Sequence, residues 1–171
     1  SMLNDFGVDV TIVEYADRLL PLEDEEVTKE LERVFKKRNI EVLTGAKLLT
    51  DSIEKNTACV TLSVEHQGEV RKLKAEKLLV SVGRDANVQN IGLENTDIKI
   101  DSGVIKVNDF MQTTESHIYA IGDVNGGLQL AHTASHEGIL AVEHIAGQKV
   151  HATEQHHVPR CIYTRTEIAS I

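Results

Sequence analysis

An α/β fold is what these 171 residues predict, and three observations carry the prediction. A β-branched run at residues 8–14 is followed by a stretch with apolar residues three and four apart, and then by a second short apolar run at 40–43. That order reads as strand, helix, strand. Residues 77–82 form a nearly continuous apolar run, as expected of a strand buried on both faces of a parallel sheet. Residues 118–121 make a short apolar strand that ends in Gly122-Asp123, with Gly126-Gly127 next and a helical run from about Gln129. Strand, glycine turn, helix is how α/β folds build a nucleotide site. Glycine lets the backbone approach a ligand, and a helix N-terminus offers free N–H groups and partial positive charge. Asp123 falls at the carboxyl end of that strand, where a carboxylate suits sugar-like hydroxyls. Gly and Asp are also common turn formers, so these two residues alone equally describe an ordinary turn.

The elements follow in chain order. Residues 1–6 read as the last turns of a helix with Gly7 just past its end, so the chain is expected to be an internal fragment. The strand at 8–14 ends in Glu14. An acid at the end of the second strand of a dinucleotide-binding unit accepts hydrogen bonds from the adenosine ribose and repels a 2′-phosphate, which favours NAD over NADP. Pro21 and the acids Glu23, Asp24, Glu25 and Glu26 are helix-start signals. Val27, Leu31, Val34 and Phe35 define an apolar face, and Lys36, Lys37 and Arg38 complement the C-terminal dipole. The acidic run is therefore helix electrostatics, not a metal site. Gly45 breaks the strand at 40–43. Three short strands at 47–53, 59–65 and 69–73 follow, with His66-Gln67-Gly68 turning between the last two. Cys59 is expected to fill apolar space.

Residues 82–90 look like a boundary. Beyond it, strands at 98–100 and 104–107 would pair across Asp101-Ser102-Gly103. The helix from about 129 to 146 carries a predicted buried stripe of Leu130, Ala134, Ala141 and Ile145, with Gly147 as its stop. His132 and His136 share a helix face, but no third ligand at a known spacing completes a metal site. Ser135-His136-Glu137 is no triad, because neighbours on a helix point in different directions. Residues 151–157 are polar without apolar period and read as a linker.

Composition narrows the function. A net charge of −9 argues against nucleic acid as a partner, and no apolar run is long enough to span a bilayer. The two cysteines, Cys59 and Cys161, are far apart and form no CxxC or zinc pattern, which suits reduced thiols in a cytoplasmic protein.

The run from Thr113 through Tyr119-Ala120-Ile121-Gly122-Asp123 and on through Gly126-Gly127-Leu128-Gln129-Leu130-Ala131-His132 to Gly138 resembles the second FAD motif of the flavoprotein disulfide reductases. Within them it is most similar to the dihydrolipoamide dehydrogenases, notably those of bacterial branched-chain 2-oxo acid dehydrogenase complexes. The resemblance covers essentially the whole chain. It implies parts of two Rossmann-like FAD/NAD(P)-binding domains, each interrupted by a three-stranded β-meander. Residues 1–84 would be an NAD-binding domain without its first strand and Gly-rich loop, 85–150 the second part of the FAD-binding domain, and 151–171 the start of an α+β dimerisation domain. It implies FAD on Asp123, Gln129, Leu130, Ala131 and His132, and NAD on Glu14, Gly83 and Leu48. The partners it implies are a lipoyl domain, the acyltransferase core of a 2-oxo acid dehydrogenase complex, and a second copy of the enzyme.

Ala86 and Thr166 depart from the family, which usually has Pro at both positions. The family's CxxxxC disulfide and first FAD motif lie upstream of the matched region, and its His-Glu pair lies downstream. The chain is therefore expected to hold no catalytic residue and to be inactive alone. A soluble transhydrogenase, an NADH oxidase or a non-catalytic nucleotide-binding module remain alternatives.

Overall fold

The computed structural model describes residues 1–152 and 157–171, so part of the 151–157 linker lies outside the described residues. The chain divides into two units, Ser1–Ser81 with Cys161–Ser170, and Val82–Arg160 with Ile171.

In the first unit, α1 (Met2–Asp5) ends at Phe6, and Gly7 takes the left-handed conformation expected of it (φ +82°). Strand β1 (Thr11–Val13) pairs in parallel with β2 (Glu41–Leu43), Thr11 opposite Glu41, so the intervening helix makes a βαβ crossover. That helix, α2 (Glu25–Lys37), starts where Asp24 caps it by accepting the Glu26 amide at 2.8 Å. Its buried residues are Thr28, Leu31 and Phe35, with Val27 left exposed. The expected face is thus turned by one position, and Thr28 can be buried because its hydroxyl donates to the Glu25 carbonyl at 3.0 Å.

Leu31 and Phe35 join Leu19, Ile40 and Ile168 in one core cluster. A second cluster, Leu43, Ala46, Leu62 and Val64, seats the antiparallel meander β3 (Lys47–Lys55), β4 (Val60–His66) and β5 (Glu69–Ala75). Gln67 and Gly68 both have positive φ, as a two-residue hairpin turn between right-twisted strands requires. The short strands β8 (Arg160–Ile162) and β9 (Ile168–Ser170) pair with each other.

A first strand expectation fails at the end of this unit. Residues 77–84 form no strand, and Leu79, Val80 and Val82 are 78%, 66% and 91% exposed. A strand buried on both faces needs a ladder partner and two covering layers. Among the described residues the β1–β2 sheet has two strands and this run pairs with neither.

In the second unit, β6 (Ile100–Asp101) and β7 (Val104–Ile105) form the expected hairpin, with Ser102 and Gly103 at positive φ. Residues 118–121 do not form a strand of a parallel sheet. Tyr119 makes an isolated antiparallel bridge to Gln112, flanked by Thr113 N–H to Ile118 O and Ala120 N–H to Met111 O, both 3.0 Å. The chain doubles back here because the Thr113 hydroxyl holds the turn, accepting from Glu115 N and donating to main-chain oxygens of Glu115 and Ile118. Helix α3 (Ala131–Ile145) begins two residues later than expected. Its buried residues are Thr133, Glu137, Leu140 and Ala141, while Ile145 is 62% exposed. The apolar cluster of this unit is small: Ile98, Ile105 and Ala120.

Candidate functional site

The turn between the Tyr119 bridge and α3 is built by two polar side chains and two glycines. Residues Gly122–Asn125 form a single 3-10 turn, opened by Gly122 (φ +75°) and closed by Gly126 (φ +78°). A Cβ on Gly122 would lie 3.2 Å from Ala134 Cβ, and one on Gly126 would lie 2.8 Å from a Val104 methyl. Both glycines are thus required by conformation and by close approach. Inside the turn, the Glu137 carboxylate accepts the Gly122 amide at 2.6 Å and the Asn125 side-chain amide at 3.0 Å. Asn125 Oδ1 in turn accepts from Gly127 N at 2.9 Å.

Asp123 projects the other way. Its side chain is 44% exposed, and one oxygen receives Arg84 Nη1 at 3.3 Å. Next comes the start of α3, where Leu130 is the N-cap and offers no side-chain acceptor. The first amides of α3 therefore lack the cap that would satisfy them, and they are available to an electronegative ligand. Gln129 and Ala131 are exposed and Leu130 is half-buried. His132 Nε2 meets the Pro159 carbonyl at 2.9 Å. Thr133 Oγ1 is buried without a hydrogen-bond partner among the described residues. A cavity of about 630 Å³ opens beside it, lined in part by His132, Thr133, His136, His151 and Val158. No group of three or more His, Cys, Asp or Glu among the described residues is placed to hold a metal.

Asp123, Gln129, Leu130, Ala131 and His132 are thus brought to one turn and the helix end that follows it. A flavin fits these features on three counts: an outward carboxylate for hydroxyls, glycines that open the backbone, and an uncapped helix N-terminus.

The residues expected to meet NAD are divided between the two units. Glu14 immediately follows β1, and its Oε1 accepts the Ala16 amide at 2.7 Å, which leaves its other oxygen to a ligand. Its carbonyl accepts Ala46 N at 2.9 Å, tying the end of β1 to the segment that leads into β3. Leu48, two residues on, packs against the meander core. Gly83 belongs to the second unit, at φ +138° and exposed, with open space where a Cβ would be.

Sequence reasoning missed Glu137, Asn125 and Arg84. The available signal for Glu137 was positional. It stands four residues after Thr133 and four before Ala141, on the same helix face, where a buried carboxylate demands donors.

The family model for pyridine nucleotide-disulphide oxidoreductases matches residues 1–138. The dihydrolipoyl dehydrogenase of Bacillus subtilis is 57% identical over 171 residues, covering 100% of this chain and 36% of the relative. That of Mycobacterium leprae is 43% identical, covering 99% of this chain and 36% of the relative. The crystal structure of LpdA from Mycobacterium tuberculosis superposes with a TM-score of 0.86 at 30% identity, over 97% of this chain and 35% of LpdA. The chain spans little more than a third of the length of the curated relatives it matches.

Proposed function

The chain belongs to the pyridine nucleotide-disulphide oxidoreductase family, and we propose that it is the middle part of an NAD-dependent dihydrolipoamide dehydrogenase. In this reading the full protein oxidises a protein-bound dihydrolipoyl dithiol to the disulfide. NAD would take up the two electrons, giving NADH and a released proton. The 171 residues contribute cofactor contacts and no catalytic group. Cys59 and Cys161 are both free, and the redox disulfide and acid/base pair are assigned to other parts of the enzyme. The physiological partners are the lipoyl domain and acyltransferase core of a 2-oxo acid dehydrogenase complex, with the enzyme acting as a cytoplasmic homodimer.

The observation that carries this reading is the outward Asp123 carboxylate on a glycine-opened turn beside the uncapped start of α3. Bound FAD would supply a two-electron relay between dithiol and pyridine nucleotide. Asp123 would accept hydrogen bonds from the hydroxyls of the flavin side chain, displacing or sharing Arg84. The amides of Ala131 and His132, with the α3 dipole behind them, would favour negative charge on the reduced ring. Gln129 and Leu130 would line it. Glu14 would accept from the NAD ribose with its free oxygen and disfavour a 2′-phosphate, and Leu48 would border the same nucleotide.

The test is a visible absorption spectrum of the purified protein after FAD addition and desalting, for the unsubstituted chain and for Asp123→Ala. A retained flavin band that Asp123→Ala weakens by about tenfold or more is expected, the scale of a lost hydrogen bond to a charged group. Equal retention by both proteins contradicts the assignment of Asp123.

A further inference from the structure

We propose that Glu137 is a positioning residue for the flavin: its buried carboxylate sets the Gly122–Asn125 turn so that Asp123 faces the ligand. The inference rests on the reading of that turn as a flavin site. Glu137 is 5% exposed, yet it is an acid in the middle of a helix. An acid there is tolerated only if donors meet it. Both donors come from one turn, Gly122 N–H at 2.6 Å and Asn125 Nδ2 at 3.0 Å, and both converge on Glu137 Oε2.

These two contacts bracket Asp123. Gly122 precedes it and Asn125 follows it by two residues, and Asn125 extends the chain of bonds to Gly127 N at 2.9 Å. With its backbone held on both sides, Asp123 is left to point outward, where its partner is Arg84. The geometry admits no simple substitute. Gly122 lies against Ala134, and a Cβ on Gly138 would be 3.3 Å from Ile121 Cδ1, so α3 and the turn approach too closely for a water to take the place of the carboxylate. Charge assistance strengthens the bonds to the two donors. Removing the acid leaves the Gly122 amide, on the inner side of the turn, without its acceptor. The turn then relaxes, and binding must order it again.

The experiment titrates FAD into apo protein, in the full chain, for Glu137→Ala, Glu137→Gln and Leu140→Ala, with thermal unfolding in parallel. Glu137→Ala is expected to weaken FAD binding by about tenfold to thirtyfold, the range for leaving a buried donor unpaired. Glu137→Gln keeps a carbonyl acceptor and is expected to restore affinity to within about fivefold, the margin between charged and neutral hydrogen bonds. Leu140 is buried on the same helix and touches no cofactor residue in this account. Leu140→Ala should lower the melting temperature while leaving FAD affinity unchanged. Unaltered FAD affinity in Glu137→Ala overturns the inference, as does an affinity loss in Leu140→Ala equal to that in Glu137→Ala.

If Glu137→Ala does not fold, the Gly122 amide proton in Glu137→Gln decides. An upfield move on exchanging a charged for a neutral acceptor supports the role, and an unmoved resonance overturns it. If the unsubstituted protein binds no FAD, the flavin reading fails by itself. The positioning role is then judged on hydrogen exchange at Gly122, which speeds up in Glu137→Ala if Glu137 holds the turn and is unchanged if it does not.

Discussion

The two units of this chain are held together by different physics. Residues Ser1–Ser81 with Cys161–Ser170 are organised around apolar clusters, Leu19, Leu31, Phe35, Ile40 and Ile168 on one side and Leu43, Ala46, Leu62 and Val64 on the other. Residues Val82–Arg160 have a smaller apolar cluster, Ile98, Ile105 and Ala120, with Leu140 and Ala141 buried besides. Their order comes from buried or half-buried polar groups bonded to backbone: Thr113 within its hairpin, Glu137 and Asn125 within the Gly122 turn. An apolar core tolerates substitution by volume and gives way gradually. A polar network fails at single atoms, because leaving one buried donor unpaired costs more than a typical bond gains. The second arrangement suits a ligand turn, whose backbone must be fixed without covering it with side chains.

The largest expected effect lies in the first unit. Phe35→Ala empties a side chain that is 5% exposed, and should cost about 3–5 kcal/mol, read as a lower denaturation midpoint. Smaller but sharper is Gly126→Ala in the second unit. Its Cβ would meet Val104 at 2.8 Å at a φ of +78°, so overpacking and backbone strain together should cost about 2–3 kcal/mol. Hydrogen exchange should then quicken around the Gly122–Asn125 turn and leave the meander unchanged. Thr113→Val keeps the shape and deletes the hydroxyl bonded to Glu115 and Ile118, for about 1–2 kcal/mol. If Thr113→Val proves neutral by chemical denaturation, the polar account of the second unit is wrong. Smallest is Asp24→Ala, which removes the cap of α2 for about 1 kcal/mol and should speed amide exchange only in the first turn of that helix.

The same contrast explains what the sequence disclosed. Elements whose signal is local were legible: the Asp24 start of α2, the Gln67-Gly68 and Ser102-Gly103 turns, the Gly147 end of α3. Periodicity placed α2 correctly but missed its facing by one residue, because Thr28 satisfies its own hydroxyl and so can replace Val27 inside. It misjudged α3 further, since a stripe counted on apolar residues alone cannot include Glu137 or Thr133. The apolar run at 77–84 reads as a buried strand because hydropathy registers the need for a cover, not its presence. The cluster from Asp123 to His132 was legible as a motif. Its support was not, because Glu137 meets Gly122 across 15 residues through an atom pair that no local pattern encodes.

The most direct test is an amide hydrogen-exchange footprint of the protein with and without FAD. New protection is expected only at Gly122–Asn125 and at the first amides of α3, Ala131 to Thr133. Protection centred on the end of β1 at Glu14, or no change at the Gly122 turn when FAD is bound, would contradict it.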